Sequence, residues 1–131
     1  MKIKKDDVLK IFLQGEKEAP VEACGYLTGK DDTVVKIFSM KNVDNSEDHF
    51  SLDPDEQFKV MREARSEGLD IIGVYHTHPV SPARPSDEDI KLAYDADKVY
   101  VIASLATDFK GIKAFKIVKG IVKEEILVIE D

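Results

Sequence analysis

Three prolines fall within seven residues, at Pro79, Pro82 and Pro85. Each fixes φ and removes a backbone donor, so residues 79–85 can be neither helix interior nor paired strand. The apolar run Leu69–Tyr75 ahead of them reads as a buried strand. Behind them Ser86 stands three residues before Asp89, the spacing of a helix cap. The chain must leave a strand, cross a stiff irregular loop and enter a short helix, with Ile90, Ala93 and Tyr94 turned inward.

The remaining elements are arranged around this turn. Asp6 to about Lys17 reads as a helix capped by Asp6, with Val8, Ile11, Phe12 and Gly15 on one face. Ala23–Thr28 reads as a strand, Gly29–Asp32 as a turn and Thr33–Met40 as the β-branched return strand. Asn42–Asp48 is a polar loop, and Phe50–Leu52 can form a short strand. Asp53-Pro54-Asp55-Glu56 starts a second helix, with Phe58, Met61 and Arg65 on its inner face and Gly68 as its stop. Val99–Leu105, Gly111–Val118 and Ile121–Ile129 read as three more strands. Two main helices with six or seven strands predict an α/β class, a mixed β-sheet flanked by helices. A length of 131 residues suits one domain spanning 1–131.

Charge and composition exclude some partners. A net charge of -7 argues against nucleic acid, because phosphate binding needs a basic stripe. Lys110, Lys113, Lys116, Lys119 and Lys123 recur through a predicted hairpin and read as a solvated face. No apolar run approaches the ~20 residues that cross a bilayer, so no membrane partner is expected. Met1–Asp6 is charged and lacks the pattern of a signal peptide, which predicts a cytoplasmic protein. A single cysteine, Cys24, fits a reducing compartment and reads as a small buried strand residue.

The chemistry concentrates at His76-Thr77-His78. Side chains alternate along a strand, so both imidazoles point to one face. Neutral imidazole suits zinc, and a catalytic zinc keeps three protein ligands and one open position. Asp89 can be the third ligand, because the proline loop turns the first turn of the next helix back toward the strand end. Taken singly, the histidine pair could be two solvent-facing strand residues, and Ser86-x-x-Asp89 could be a cap alone. Other metal signatures fit worse. His78 is followed by Pro79-Val80 rather than the x-D-H of metallo-β-lactamases, a deaminase needs P-C-x-x-C, and H-E-x-x-H is absent.

The segment from His76-Thr77-His78-Pro79 through Ser86-Asp87-Glu88-Asp89 resembles the signature of the JAMM (MPN+) metallopeptidases, H-x-H-P, six residues, then S-x-x-D. Pro20-Val21-Glu22-Ala23-Cys24-Gly25-Tyr26 resembles the family's segment that carries a catalytic glutamate before a Cys-Gly or similar pair. The order of elements fits over nearly the whole chain, which implies the JAMM/MPN sheet topology, a cytidine-deaminase-like architecture. By position the resemblance implies Zn2+ on His76, His78 and Asp89. Glu22 corresponds to the general acid and base, and Ser86 to the residue that steadies the oxygen of the tetrahedral intermediate. It also gives Asn42 a minor part in lining the site. The implied reaction is hydrolysis of an amide or isopeptide bond without an acyl-enzyme.

Family members act at the carboxyl end of ubiquitin-like proteins. A chain this short resembles the minimal prokaryotic branch, where the substrate is a ThiS/MoaD-like sulphur-carrier adduct or a lysine-linked ubiquitin-like conjugate. The first is preferred for a small domain. The alternative is a non-catalytic, zinc-retaining module that binds a ubiquitin-like partner. A structural zinc site would need a fourth protein ligand and would unfold on chelation. Oligomeric state is not legible.

Overall fold

The computed structural model describes residues 1–108 and 111–131, and Lys110 of the basic hairpin face lies outside them. In chain order the elements are β1 (Lys2–Lys4), α1 (Lys5–Glu18), β2 (Cys24–Lys30), β3 (Thr33–Met40), α2 (Pro54–Ser66) and β4 (Asp70–His78). They continue with α3 (Asp87–Lys91), β5 (Val99–Ser104), β6 (Gly111–Val118), β7 (Ile121–Glu125) and β8 (Val128–Glu130). The strands form one eight-stranded sheet in the order β7-β6-β5-β4-β2-β3-β1-β8. It is mixed: β1 runs parallel to β3 and β8, β4 runs parallel to β5, and the other neighbours are antiparallel.

Helices cover both faces. On one side α1 buries Val8 and Ile11 in a core with Ile3, Leu27, Val34, Tyr75, Val101 and Ala114. Gly15 lets this helix approach closely, since a Cβ there would lie 2.8 Å from Thr77 Cγ2. On the other side α2 buries Val60 with Tyr26 and Met40, and α3 packs Ile90 near Ile102, Phe115 and Ile117. The α/β class with a helix-flanked mixed sheet is therefore the observed architecture.

Several local expectations are corrected. The chain enters α1 straight from β1, so Lys4 is its cap residue and Asp6 makes no side-chain cap. Asp53 caps α2 in position only, without a side-chain bond. The inner face of α2 is Val60 and Ala64, whereas Phe58 and Met61 are exposed. Phe50–Leu52 forms no strand. Helix α3 stops after one turn, which leaves Tyr94 exposed. The final strand breaks at Ile126–Leu127, and β8 pairs with β1 through Lys2↔Val128 and Ile3↔Ile129. Glu125 and Val128 are three residues apart, within about 11 Å of chain, yet end the two edge strands, so the sheet must curl. Gly68, at φ 73°, ends α2 as expected.

Strand β4 sits centrally, between β2 and β5, with backbone partners on both sides. Its register against β2 shifts between Leu27↔Gly73 and Thr28↔Ile71. The extra residue sends Ile72 toward the α1 core and leaves Ile71 on the α2 face with Val74. His76, Thr77 and His78 close the strand at its carboxyl end.

Candidate metal centre

His76 and His78 share a face because they are two apart on β4, as alternation requires. Their Nε2 atoms lie 3.1 Å apart. Asp89 Oδ2 is 3.1 Å from the first and 3.0 Å from the second. Tetrahedral zinc with bonds of about 2.0–2.1 Å needs ligand atoms roughly 3.3 Å apart, close to this triangle. Nδ1 of His78 donates to the carbonyl of Pro82 at 2.8 Å, so its Nε2 presents a lone pair to the triangle. Two imidazole nitrogens and a carboxylate oxygen facing one point form a donor set suited to a cation. Among the described residues this is the one cluster of histidine, cysteine or carboxylate donors close enough to hold a metal.

The proline loop does the aiming. It returns the chain to the strand end and delivers Ser86 as the cap of α3. Ser86 Oγ accepts from Asp89 N at 3.0 Å, and Ser86 N donates to Asp89 Oδ2 at 3.0 Å. This reciprocal cap fixes the carboxylate while the Ser86 hydroxyl proton stays free to donate. Burial alone would raise the Asp89 pKa, but the bonds from His76, His78 and Ser86 outweigh it and hold the carboxyl well below its usual range. For His78, burial pulls down, yet Asp89 and the Pro82 carbonyl together raise it.

Glu22 reaches the site through the β2–β4 register. Cys24 pairs with His76, and Thr77 N donates to Ala23 O at 2.9 Å. Two residues further along, this register sets Glu22 across from His78. Its side chain is buried, and Oε1 has no partner among the described residues. Burial pushes its carboxyl up to about 8; His78 pulls down, while Asp89 and Asp48 add to the rise. A buried, unpartnered carboxyl with a raised pKa beside a donor set suited to a cation is able to hold and release a proton there.

Some neighbouring residues were not legible from the sequence. Phe50 stacks on His76 with centroids 4.7 Å apart. Asn42 is buried and clamps the chain beside the site, donating to Glu22 O at 3.1 Å and His49 O at 3.0 Å and accepting from Asp44 N at 3.1 Å. Only its place after β3 signalled a turn. Thr77 is buried away from the donors, Arg84 is exposed, and His49 is half-exposed against Asp44. Cys24 is buried, and burial pushes its thiol up to about 12, so it stays protonated and a poor ligand.

A cavity of about 850 Å³ opens beside the donors, with His76, Asp89 and Phe50 at one end and largely apolar walls. No helix of the described residues is long and apolar enough to cross a membrane.

The family model for prokaryotic homologs of the JAB domain matches residues 4–118. The chain is 36% identical over 103 residues to the desampylase of Pyrococcus furiosus, covering 79% of this chain and 74% of that protein. It is 32% identical over 126 residues to the CysO-cysteine peptidase of Mycobacterium tuberculosis, covering 94% and 86%. The solution structure of protein DSY2949 from Desulfitobacterium hafniense superposes with a TM-score of 0.91 at 35% identity, covering 99% of this chain and 92% of that one. With the family model spanning most of its length and its own donors gathered at the signature segment, the chain belongs to the prokaryotic JAB-domain family.

Proposed function

We propose that the protein is a zinc-dependent hydrolase that cuts an amide or isopeptide bond at the carboxyl end of a ubiquitin-like or sulphur-carrier protein. The observation that carries this reading is the convergence of His76, His78 and Asp89 with the buried, unpartnered Glu22 carboxyl set beside them. The relatives are consistent with the substrate class: one is named a desampylase and another a CysO-cysteine peptidase. A ThiS/MoaD-like carrier adduct is the preferred substrate, and a lysine-linked ubiquitin-like conjugate is the second.

His76, His78 and Asp89 would hold the zinc. Bound there, zinc supplies a Lewis acid that makes water nucleophilic near pH 7 and polarises a carbonyl. Glu22 takes the proton from the attacking water and passes it to the leaving nitrogen. Ser86 donates its free hydroxyl proton to the oxygen that gains charge as the carbonyl becomes tetrahedral. The capping box keeps Ser86 and Asp89 in fixed relation through this change, so little reorganisation is needed.

The test is hydrolysis of a carrier protein bearing a carboxyl-terminal cysteine adduct, followed by intact mass. Zinc-loaded wild type should shorten the adduct, and zinc-loaded Glu22→Gln should leave it intact. Equal behaviour of the two proteins would favour a binding module that merely retains zinc.

A further inference from the structure

The cavity beside the donors is a groove whose two ends differ chemically. Its floor is β4, with Ile71, Val74 and His76 on one face. From Ile71 to His76 is five residues, roughly 17 Å at ~3.3 Å per residue. One wall is α2, which contributes Met61 and Ala64. Helix α2 turns almost directly into β4, with Leu69 N bonded to Ala64 O at 2.9 Å. Arg65 therefore lines the groove near the start of β4, at the end away from the metal donors.

The charges along this groove are matched, with one exception. His49 meets Asp44 at 3.1 Å, Asp70 meets Lys30 at 3.3 Å, Asp95 meets Lys98 at 3.6 Å, and Asp89 is held by the two histidines. The Arg65 guanidinium has no hydrogen-bond or ion-pair partner among the described residues, and its backbone carbonyl accepts from Gly68 N at 3.0 Å. A guanidinium at the head of an apolar groove is a fork shaped for a carboxylate.

We propose that Arg65 is a specificity-determining residue that receives an acidic side chain of the substrate's tail. The groove takes an extended, mainly apolar peptide running parallel to β4, with its carboxyl-end carbonyl at the metal donors. The acidic residue then stands about five positions before the bond that is cut, since that many residues span the floor. This assignment rests on the hydrolytic reading above, which fixes the end of the tail that meets the donors.

The test uses three labelled hexapeptides ending in Val-Leu-Val-Gly-Gly-aminomethylcoumarin, with Glu, Gln or Lys as the first residue. Binding to zinc-loaded protein is read by fluorescence anisotropy and cleavage by coumarin release. The Glu peptide should bind wild type about tenfold more tightly than the Lys peptide. Arg65→Glu should invert that order without changing the circular-dichroism melt, because Arg65 is exposed. Equal binding of the three peptides, a preference that survives Arg65→Glu, or no binding at millimolar peptide would each overturn the assignment. Peptides bound with the expected preference but left uncut would count against the hydrolytic reading alone. Cleavage without preference would count against Arg65 alone.

Discussion

Ala23 and Thr77 hold each other twice: Ala23 N donates to Thr77 Oγ1, and Thr77 N donates to Ala23 O, both at 2.9 Å. This clasp joins the residue just before β2 to β4 between the two histidines, and it sets the level of Glu22 against His78. Thr77→Val keeps the shape but leaves Ala23 N buried without an acceptor. The expected cost is about 1–3 kcal/mol of stability, read from urea midpoints. Hydrolysis should fall further than zinc affinity, because the clasp positions Glu22 while the donors sit on other bonds.

Ser86 has two separable tasks, capping α3 and donating to the reacting oxygen. Ser86→Ala should cost about 0.5–2 kcal/mol as a lost cap. Ser86→Asn keeps a capping oxygen for Asp89 N and should recover most of that stability. Both variants should lose roughly 10²–10³ in kcat, because neither carries the hydroxyl. Thermal melts and steady-state kinetics of the pair distinguish the tasks.

Glu22 makes the metal-free protein sensitive to pH. Unfolded, it ionises near its ordinary 4.5; folded, burial pushes it up to about 8. Between those values the folded state holds a proton that the unfolded state has lost, so Glu22 lowers stability progressively as pH rises through the window. A shift of that size corresponds to on the order of 4–5 kcal/mol. Metal-free Glu22→Gln should match wild type below pH ~4 and become increasingly the more stable protein toward pH ~8.5. His78 and Asp89 titrate in both proteins, so they largely cancel from the difference in chemical-denaturation free energies.

The legible and illegible parts divide by the range of the forces involved. The histidine pair follows from the two-residue alternation of a strand, the Ser86–Asp89 cap from a three-residue spacing, and the end of α2 from a glycine at positive φ. Each is settled within one turn or one strand of chain. Strand β1 and the detached β8 depend on the curl of the whole sheet, which brings Val128 beside Lys2. Helical periodicity groups Phe58 and Met61 with Arg65 on one face of α2, whereas the sheet accepts only the smaller Val60 and Ala64. Met61 lines the groove instead. The stacking of Phe50 on His76 joins residues far apart in sequence, and no local pattern encodes it.

Metal removal should separate activity from fold. Among the described residues the three donors have no fourth partner in their cluster, and the main core assembles around Ile11, Leu27, Tyr75 and Val101 without them. Chelation should abolish hydrolysis while leaving the far-ultraviolet circular dichroism intact. Restoring zinc at a thousandfold excess over its Kd should add about 4 kcal/mol to the unfolding free energy.

The most direct measurement is a zinc-edge anomalous difference map from crystals grown with zinc. The account predicts one strong peak at about 2.0–2.2 Å from His76 Nε2, His78 Nε2 and an Asp89 carboxylate oxygen. A map with no peak there, or with its strongest peak on other side chains, would contradict it.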